Sequence, residues 1–212
     1  MCRRHGTPRH PPPAGRRHAL VRTVSVRVAD ARLRFGQAQI GAKTNEKTAI
    51  PALLDTLDVA GSAVTIVAIA RQSSIVERVG ARGADYVIAL KKNAKTRYEQ
   101  VSEHLLARAA HLPTHCSQDK GHGRGERRPV RICQDRALLD ACPAGPGLRT
   151  RGLVETERHT SQGLIHTRRF YLRSLTDPDP AVYARLIRGH WAVENRLYWH
   201  LDLACKEDRS RL

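Results

Sequence analysis

Acidic residues are scarce in this chain of 212 residues, which holds 20 Asp and Glu against 37 Lys and Arg. The resulting formal net charge of +17 favours a polyanionic partner, nucleic acid first, because phosphate contacts release counterions. Arginine predominates over lysine, as bidentate contacts with phosphate would favour. A high-GC coding sequence also enriches arginine and alanine, so the charge alone favours a nucleic-acid partner only weakly.

Long apolar runs and paired cysteines are missing as well. No run approaches the roughly 20 apolar residues of a membrane span. The N-terminal arginines are not followed by the apolar core of a secretory signal. The five cysteines show no C-x-x-C spacing, which argues against a zinc site or a disulfide framework and fits a reducing compartment. We therefore expect a cytoplasmic protein.

The first 19 residues form a basic tail rich in arginine and proline. It includes three consecutive prolines, Pro11 to Pro13, and no acid occurs before Asp30. Such a composition cannot build a core, so we expect disorder there. The tail fits a DNA-binding arm and the product of a displaced reading frame equally well. Residues 20–212 are expected to form one domain.

Hydrophobic periodicity from residue 20 to residue 110 predicts strands and helices in the order of an α/β protein. The predicted strands are "ALVRTVSVRV", "ARLRFGQAQI", "VTIVAI" and "DYVIAL". The predicted helices are "TAIPALLDTLD" with Pro51 in its first turn, "SSIVERVGARG", and "NAKTRYEQVSEHLLARAA" with Asn93 as its cap. This order predicts a mixed sheet flanked by helices.

The sequence of residues 112–178 predicts a β-rich, basic insertion in the domain. It contains the glycine-rich turn "KGHGRGERR" and two strands, "GLVETERHT" and "LIHTRRFYLRSL", joined by Ser161 to Gly163. A strong helix start follows, with Asp179 as the cap and Pro180 at the first position. That helix is expected to continue to about Leu203.

Four collinear stretches carry a resemblance to a known family. They are "KTNEKTAIPALLDTLDVAGSAVTI", "GADYVIALKKNAKTRYEQV", "DKGHGRGERR" and "RGHWAVENRLYWHLDLACKEDRSR". From about Leu20 to the last residue, the sequence resembles the DDE transposases of bacterial insertion sequences, specifically the ISAs-type group of H-repeat-associated proteins. The resemblance implies a ribonuclease-H-like fold. It also implies a catalytic trio of two aspartates and a glutamate, whose bound metal ions cut DNA at the element's ends and join it to a target.

Glu194, in "HWAVEN", matches the glutamate of this trio. Helical spacing puts Trp191, Glu194 and Tyr198 on one face of the last helix. The family ion is Mg²⁺, a hard cation that prefers carboxylate oxygens. Two such ions can stabilise the attacking and leaving oxygens of a phosphoryl displacement. Without the resemblance, Glu194 would be taken for a solvated or arginine-paired residue.

The two aspartates have no match. The family strand reads T-I-D-A where this sequence reads "VTIVAIARQ", so Val67 occupies the second-aspartate position. In the family, the first aspartate lies in a D-G-K-x-hydroxyl motif upstream of the first predicted strand. The segment in that place here, "MCRRHGTPRHPPPAGRRH", contains no acidic residue. Asp58 and Asp85 match other positions of the family pattern. The resemblance therefore implies a truncated, degenerate copy in which Mg²⁺ binding is weak or lost and catalysis is absent or severely impaired.

DNA is the partner that the resemblance implies, both as terminal repeats and as target, with a homodimer as a further expectation. Six candidate DNA contacts follow from it: His122, Arg124, Arg127, Arg188, Trp191 and Tyr198. The basic turn could instead be an exposed turn without a role, and the two aromatic side chains could pack between the helix and the sheet. Two other hypotheses remain open, a non-catalytic DNA-binding remnant or repressor and a decayed reading frame that does not fold.

Overall fold

The computed structural model describes residues 22–28, 33–40, 46–66, 73–121, 124–136, 139, 146–160 and 163–192. Four predicted site positions lie outside these residues: Val67, His122, Glu194 and Tyr198. The predicted tail of residues 1–19 also lies outside them.

Eight strands and four helices make up the described part. The strands are β1 (Arg22–Val28), β2 (Leu33–Ile40), β3 (Ala63–Ile66), β4 (Asp85–Leu90), β5 (Thr114–Gly121), β6 (Arg124–Cys133), β7 (Thr150–Thr160) and β8 (Gly163–Arg173). The helices are α1 (Glu46–Asp55), α2 (Ser73–Ala81), α3 (Lys95–Arg108) and α4 (Pro180–Ala192). A short 3-10 turn, Ala109–His111, extends α3. The predicted mixed α/β architecture is confirmed.

Six of the strands form one mixed sheet in the order β3-β4-β8-β7-β6-β5. Strands β3 and β4 are parallel, whereas every other neighbouring pair is antiparallel. The β-rich segment of residues 112–178 therefore continues the same sheet, because β8 pairs with β4 from Phe170 to Arg173. Among the described residues β3 is an edge strand.

Strands β1 and β2 form a separate antiparallel hairpin, which corrects the expectation that all the strands share one sheet. Hydrophobic alternation predicts that a segment is a strand but does not choose its hydrogen-bonding partner. The hairpin packs against α1 instead. A Cβ added at Gly36 of β2 would lie 3.1 Å from Leu57 and 3.3 Å from Leu53.

The helices divide between the two faces of the sheet. Leu54, Ile75 and Leu105 belong to α1, α2 and α3, and they pack on the face that carries Ile66, Ile88 and Leu172. Helix α4 covers the other face, where Tyr183 and Ile187 pack against Val87, Val130, Val154 and Tyr171. Because side chains alternate along each strand, the same strands supply both apolar layers.

Two details of the predicted helices are wrong. Helix α1 begins at Glu46, so Pro51 lies in its second turn rather than its first. Helix α3 follows Ala94 and has no side-chain cap, so Asn93 does not cap it. The predicted helix itself is confirmed, and its apolar residues Val101 and Leu105 are fully buried. Dihedral preferences at helix ends are weaker signals than the burial of an apolar face.

Candidate functional site

Helix α4 contacts the edge strand β3 through a pair of polar side chains. His190 Nδ1 lies 3.0 Å from Thr65 Oγ1, and both residues are half-buried. Strand alternation turns Thr65 toward α4, while Ile66 faces the opposite core. Val67 directly follows β3, and Glu194 comes two residues after the end of α4. The described contact thus joins the two elements that lead into these two motif positions.

The start of α4 matches its prediction. Asp179 Oδ1 accepts a hydrogen bond of 2.8 Å from the backbone N–H of Ala181, as a helix cap does, and Pro180 is the first helical residue. Tyr183 is completely buried and packs directly on Gly152 of β7, where an added Cβ would lie 2.2 Å from its hydroxyl oxygen. The cap and this close contact fix the N-terminal half of α4 on the sheet.

Trp191 lies between α4 and the sheet at the other end of the helix. Its ring is half-buried against the apolar layer beneath α4, with the Arg169 guanidinium carbon 4.9 Å from the ring centroid and that of Arg128 at 5.9 Å. Guanidinium groups at these distances are attracted by the negative face of an indole ring. Two cations are thereby held beside the last described turn of α4.

Arg188 points outward one turn before Trp191. Its Nη2 atom donates to both carboxylate oxygens of Asp119 in β5, at 3.0 and 2.9 Å. Asp119 also accepts a bond of 2.6 Å from Arg128. The hydrogen bonds from Arg188 and Arg128 lower the pKa of Asp119 below its usual value, so the carboxylate stays charged at neutral pH. One acid therefore offsets part of the positive charge of two arginines.

A cavity of about 180 Å³ opens beside this ion pair, between α4 and strands β5 to β7. Its polar lining residues are His115, Ser117, Arg128, Arg185 and Arg188. Trp191 contributes an aromatic wall. A cavity with this lining suits an anionic or aromatic group better than a cationic one.

The predicted contact Arg127 lies one residue before Arg128, so strand alternation turns it to the face of the sheet opposite α4. Arg127 of β6 donates to Glu157 of β7 at 3.3 and 3.1 Å, and its side chain is 47% exposed. Only the backbone of Arg124 is described, and it pairs with Gly121 of β5. The structure thus places Arg127 on an exposed charged surface, away from Arg188 and Trp191.

A second group of charges lies on the same face of these strands as Arg127, opposite α4. The Glu155 carboxylate is 11% exposed and accepts hydrogen bonds from Arg131 and, at 2.9 Å, from Arg168. His166 Nε2 lies 3.3 Å from the same carboxylate. Burial raises the pKa of Glu155, whereas the hydrogen bonds and charges of Arg168 and Arg131 lower it by a larger amount. The pKa of Glu155 therefore lies below its usual value. This network stabilises the outer half of the sheet.

Glu194, the metal-ligand position that the resemblance implies, lies outside the described residues. Within them, no group of three or more His, Cys, Asp or Glu side chains could hold a metal ion. Asp85 pairs with Ala63, at the opposite end of β3 from Ile66, and accepts a 2.6 Å bond from Ser174. Asp58 accepts its bond from the N–H of Ala60. The described side chains nearest the end of β3 supply an imidazole and a hydroxyl instead of the carboxylates that Mg²⁺ prefers.

Sequence reasoning missed several residues of this site. Thr65 signals its role only by its place on the polar side of β3, and Asp119 gives no signal because its partner Arg188 is 69 residues away. Arg128 and Arg169 look like ordinary basic residues of a strand. Their approach to Trp191 depends on how β6, β8 and α4 pack together.

None of the helices in the described ranges is both long enough and apolar enough to span a membrane.

Comparison with known proteins identifies the family. The model of the transposase DDE domain matches residues 6–212. The "H repeat-associated putative transposase YhhI" of Escherichia coli strain K12 is 30% identical over 97% of this chain and 56% of its own length. The "Uncharacterized protein in dhlA 3'region" of Xanthobacter autotrophicus is 32% identical over 70% of this chain and 52% of its own length. No solved structure is significantly similar.

The chain belongs to the transposase DDE domain family. Its similarity to an H repeat-associated relative confirms the group predicted from the four motifs. The chain spans about half the length of the curated relatives that it matches.

Proposed function

We propose that this chain is the ribonuclease-H-like core of an insertion-sequence transposase that retains DNA binding but has lost strand cleavage. The observation that carries the proposal is Val67, which stands where the family has its second aspartate. A valine side chain has no oxygen to offer a metal ion, whereas it is well accommodated in a buried strand.

The contact between His190 and Thr65 supports the assignment of this position. Residue 67 follows Thr65 by two, the side-chain repeat of a strand. Residue 194 follows His190 by four, which is close to one turn of a helix. Both motif positions therefore lie within four residues of a described contact between β3 and α4.

The proposed DNA binding rests on three exposed arginines among the described residues. Arg188 is 59% exposed beside the cavity under α4. Arg127 and Arg158 are each 47% exposed on the outer half of the sheet. Arginine side chains in such positions contact phosphates without reading sequence, so affinity is expected to fall steeply as salt is raised.

The experiment compares the chain with two variants at one position, Val67→Asp and Val67→Asn. We expect calorimetry with Mn²⁺ to show negligible binding for the unaltered chain and for Val67→Asn, which adds a polar group without charge. Val67→Asp should bind measurably more tightly, because it restores the carboxylate that the family resemblance implies at this position. Measurable Mn²⁺ binding by the unaltered chain that Val67→Asp does not tighten would contradict the proposal.

A second candidate function is that of a DNA-binding repressor of an intact relative. The ion pair between Arg188 and Asp119 favours it, since it keeps a cationic surface ordered without any catalytic group. Binding to terminal-repeat DNA and to random duplex of the same length discriminates the two roles. A repressor is expected to prefer the repeat by 10³-fold or more, roughly the specificity of dedicated DNA-binding proteins.

A further inference from the structure

The cavity under α4 is lined on two sides by polar side chains. Strand alternation turns His115, Ser117 and Asp119 of β5 to the face that α4 covers, and the first two line the cavity. On the opposite wall, Arg185 and Arg188 lie three residues apart on α4, so they are neighbours on one face of the helix. The cavity is thus a cleft between a row of polar strand residues and a pair of helix arginines.

Positive charge in this cavity is not matched by acids in its lining. Among the described lining residues none is an aspartate or a glutamate, and three are arginines, Arg128, Arg185 and Arg188. Arg128 pairs with Glu126 and Asp119, which are not part of the lining. Arg185 is exposed and makes no hydrogen bond or ion pair with the described residues. Its guanidinium group therefore keeps its N–H donors available to a molecule from outside.

Asp119 lies beside the cavity and is held as a bound anion would be. Its two carboxylate oxygens accept hydrogen bonds from Arg188 Nη2 at 3.0 and 2.9 Å, and Oδ2 also accepts a bond of 2.6 Å from Arg128. A carboxylate between two guanidinium groups reproduces the contacts that a phosphate group makes with arginines. The Asp119 side chain is 42% exposed, so an entering anion can replace it at Arg188 without opening the core.

The size and floor of the cavity limit what it can hold. Its floor is apolar and includes Val130, Val154 and Ile187. Its volume of about 180 Å³ is below the roughly 300–1,000 Å³ of most ligand pockets. The cavity therefore suits one phosphate group, with the attached sugar against the apolar floor, rather than a length of duplex.

We propose that this cavity is a phosphate subsite for nucleic acid, in which Arg185 and Arg188 bind one phosphate group while Asp119 releases Arg188. The inference rests on the proposed DNA binding and names one contact that supplies it. The hydroxyl of Ser117 and the imidazole of His115 add further donors of the kinds that contact phosphates. The phosphate group comes from an internal phosphodiester or from the 5′ end of a strand, and both sources share this chemistry.

The test compares two variants that each remove one exposed helix arginine, Arg185→Gln and Arg97→Gln. Arg97 is the control, because it lies on α3 at the opposite face of the sheet and makes no hydrogen bond or ion pair with the described residues. The unaltered chain and both variants are titrated with duplexes that carry 5′-phosphate or 5′-hydroxyl ends, at several salt concentrations. Circular dichroism and thermal unfolding confirm that each variant folds.

Arg185→Gln should weaken duplex binding about tenfold and reduce the salt slope by about 1, because one phosphate contact is lost. Arg97→Gln should change the affinity by less than about twofold, because solvent and salt screen a distant exposed charge. A loss confined to 5′-phosphate duplexes would support the subsite with a terminal phosphate in it. An equal loss for both kinds of end would support it with an internal phosphodiester.

Equal affinities of the two glutamine variants would refute the subsite while DNA binding stands. If the unaltered chain binds no DNA, the proposed function fails and the subsite fails with it.

The displacement of Asp119 is tested by a double-mutant cycle with Arg188. Asp119→Asn should tighten duplex binding by about threefold in the unaltered chain, and it should have almost no effect in the Arg188→Gln variant, where the competition for that guanidinium no longer exists. The same gain in both backgrounds would show that Asp119 acts through net charge and does not compete with phosphate for Arg188.

Discussion

His190 Nδ1 lies 3.0 Å from Thr65 Oγ1, which joins the last described turn of α4 to the edge strand β3 across 125 residues of sequence. The two elements lead directly into Glu194 and Val67, the positions on which the proposed loss of cleavage depends. The contact needs only one hydroxyl and one imidazole. It can therefore position α4 without a metal ion.

Removing the hydroxyl should weaken this contact without changing the size of the side chain. We expect Thr65→Val to lower the free energy of unfolding by about 1 kcal/mol, the usual net contribution of one hydrogen bond. In a protein of this length this corresponds to a decrease of roughly 2–4 °C in melting temperature. Thr65→Ser keeps the hydroxyl and serves as the control. Equal melting temperatures for the valine and serine variants would show that the hydrogen bond does not hold α4.

The Asp119 carboxylate should oppose DNA binding, because it pairs with Arg188 and Arg128. Asp119→Asn is expected to tighten binding to a random duplex by about threefold at low salt, since the Arg188 guanidinium becomes available to phosphate while Arg128 stays paired with Glu126. Asp55→Asn makes the same change in net charge at the exposed pair between Asp55 and Arg78 on α1 and α2. If both variants tighten binding equally, net charge rather than the surface beside α4 governs affinity.

Gly152 is required by the packing of Tyr183. A methyl group at residue 152 would lie 2.2 Å from the tyrosine hydroxyl oxygen, so either β7 or α4 must shift. We expect Gly152→Ala to lower the free energy of unfolding by about 1–3 kcal/mol, the usual cost of overpacking. Gly125→Ala is the control, because a methyl group there meets nothing within 4 Å. Denaturant unfolding that gives the same midpoint for both variants would refute this contact.

Glu155 should stabilise the fold in a manner that depends on pH. Its folded-state pKa is lowered, so its contribution is complete above the unfolded value of about 4.3 and is lost as the pH falls through the folded pKa. Glu155→Gln should therefore cost about 1–3 kcal/mol at pH 7 and progressively less in acid. Glu157→Gln removes a more exposed partner and should change stability by less than about 1 kcal/mol. A cost of Glu155→Gln that persists unchanged below pH 3 would contradict this account.

Much of the fold follows from local patterns in the sequence. The apolar runs that become β3 and β4, the alternation in β7 and β8, and the capped start of α4 depend on residues close together in the chain, which is why they are predictable. The pairing of β8 with β4 is not local, because it joins residues about 80 positions apart. The separation of the β1–β2 hairpin from the larger sheet is likewise a matter of tertiary packing.

Only those residues of the candidate site that belong to a family motif could be predicted from the sequence. The resemblance identified Glu194 and Val67 as positions in a pattern, but no sequence rule pairs Thr65 with His190 or Asp119 with Arg188. Those pairs depend on the angle at which α4 crosses the sheet. The cavity under α4 was equally hidden, since helical spacing places Arg185 beside Arg188 but does not reveal which strand residues face them.

The most direct test of the account is a strand-cleavage assay on duplex DNA that carries the element's terminal repeats, with Mg²⁺ or Mn²⁺ present. The chain is added at concentrations for which a mobility shift shows that the DNA is fully bound. Denaturing gels then detect new 3′-hydroxyl ends at the repeat boundary. The account predicts full binding with no cleavage at that boundary. Efficient cutting there by the unaltered chain, with Val67 in place, would contradict it.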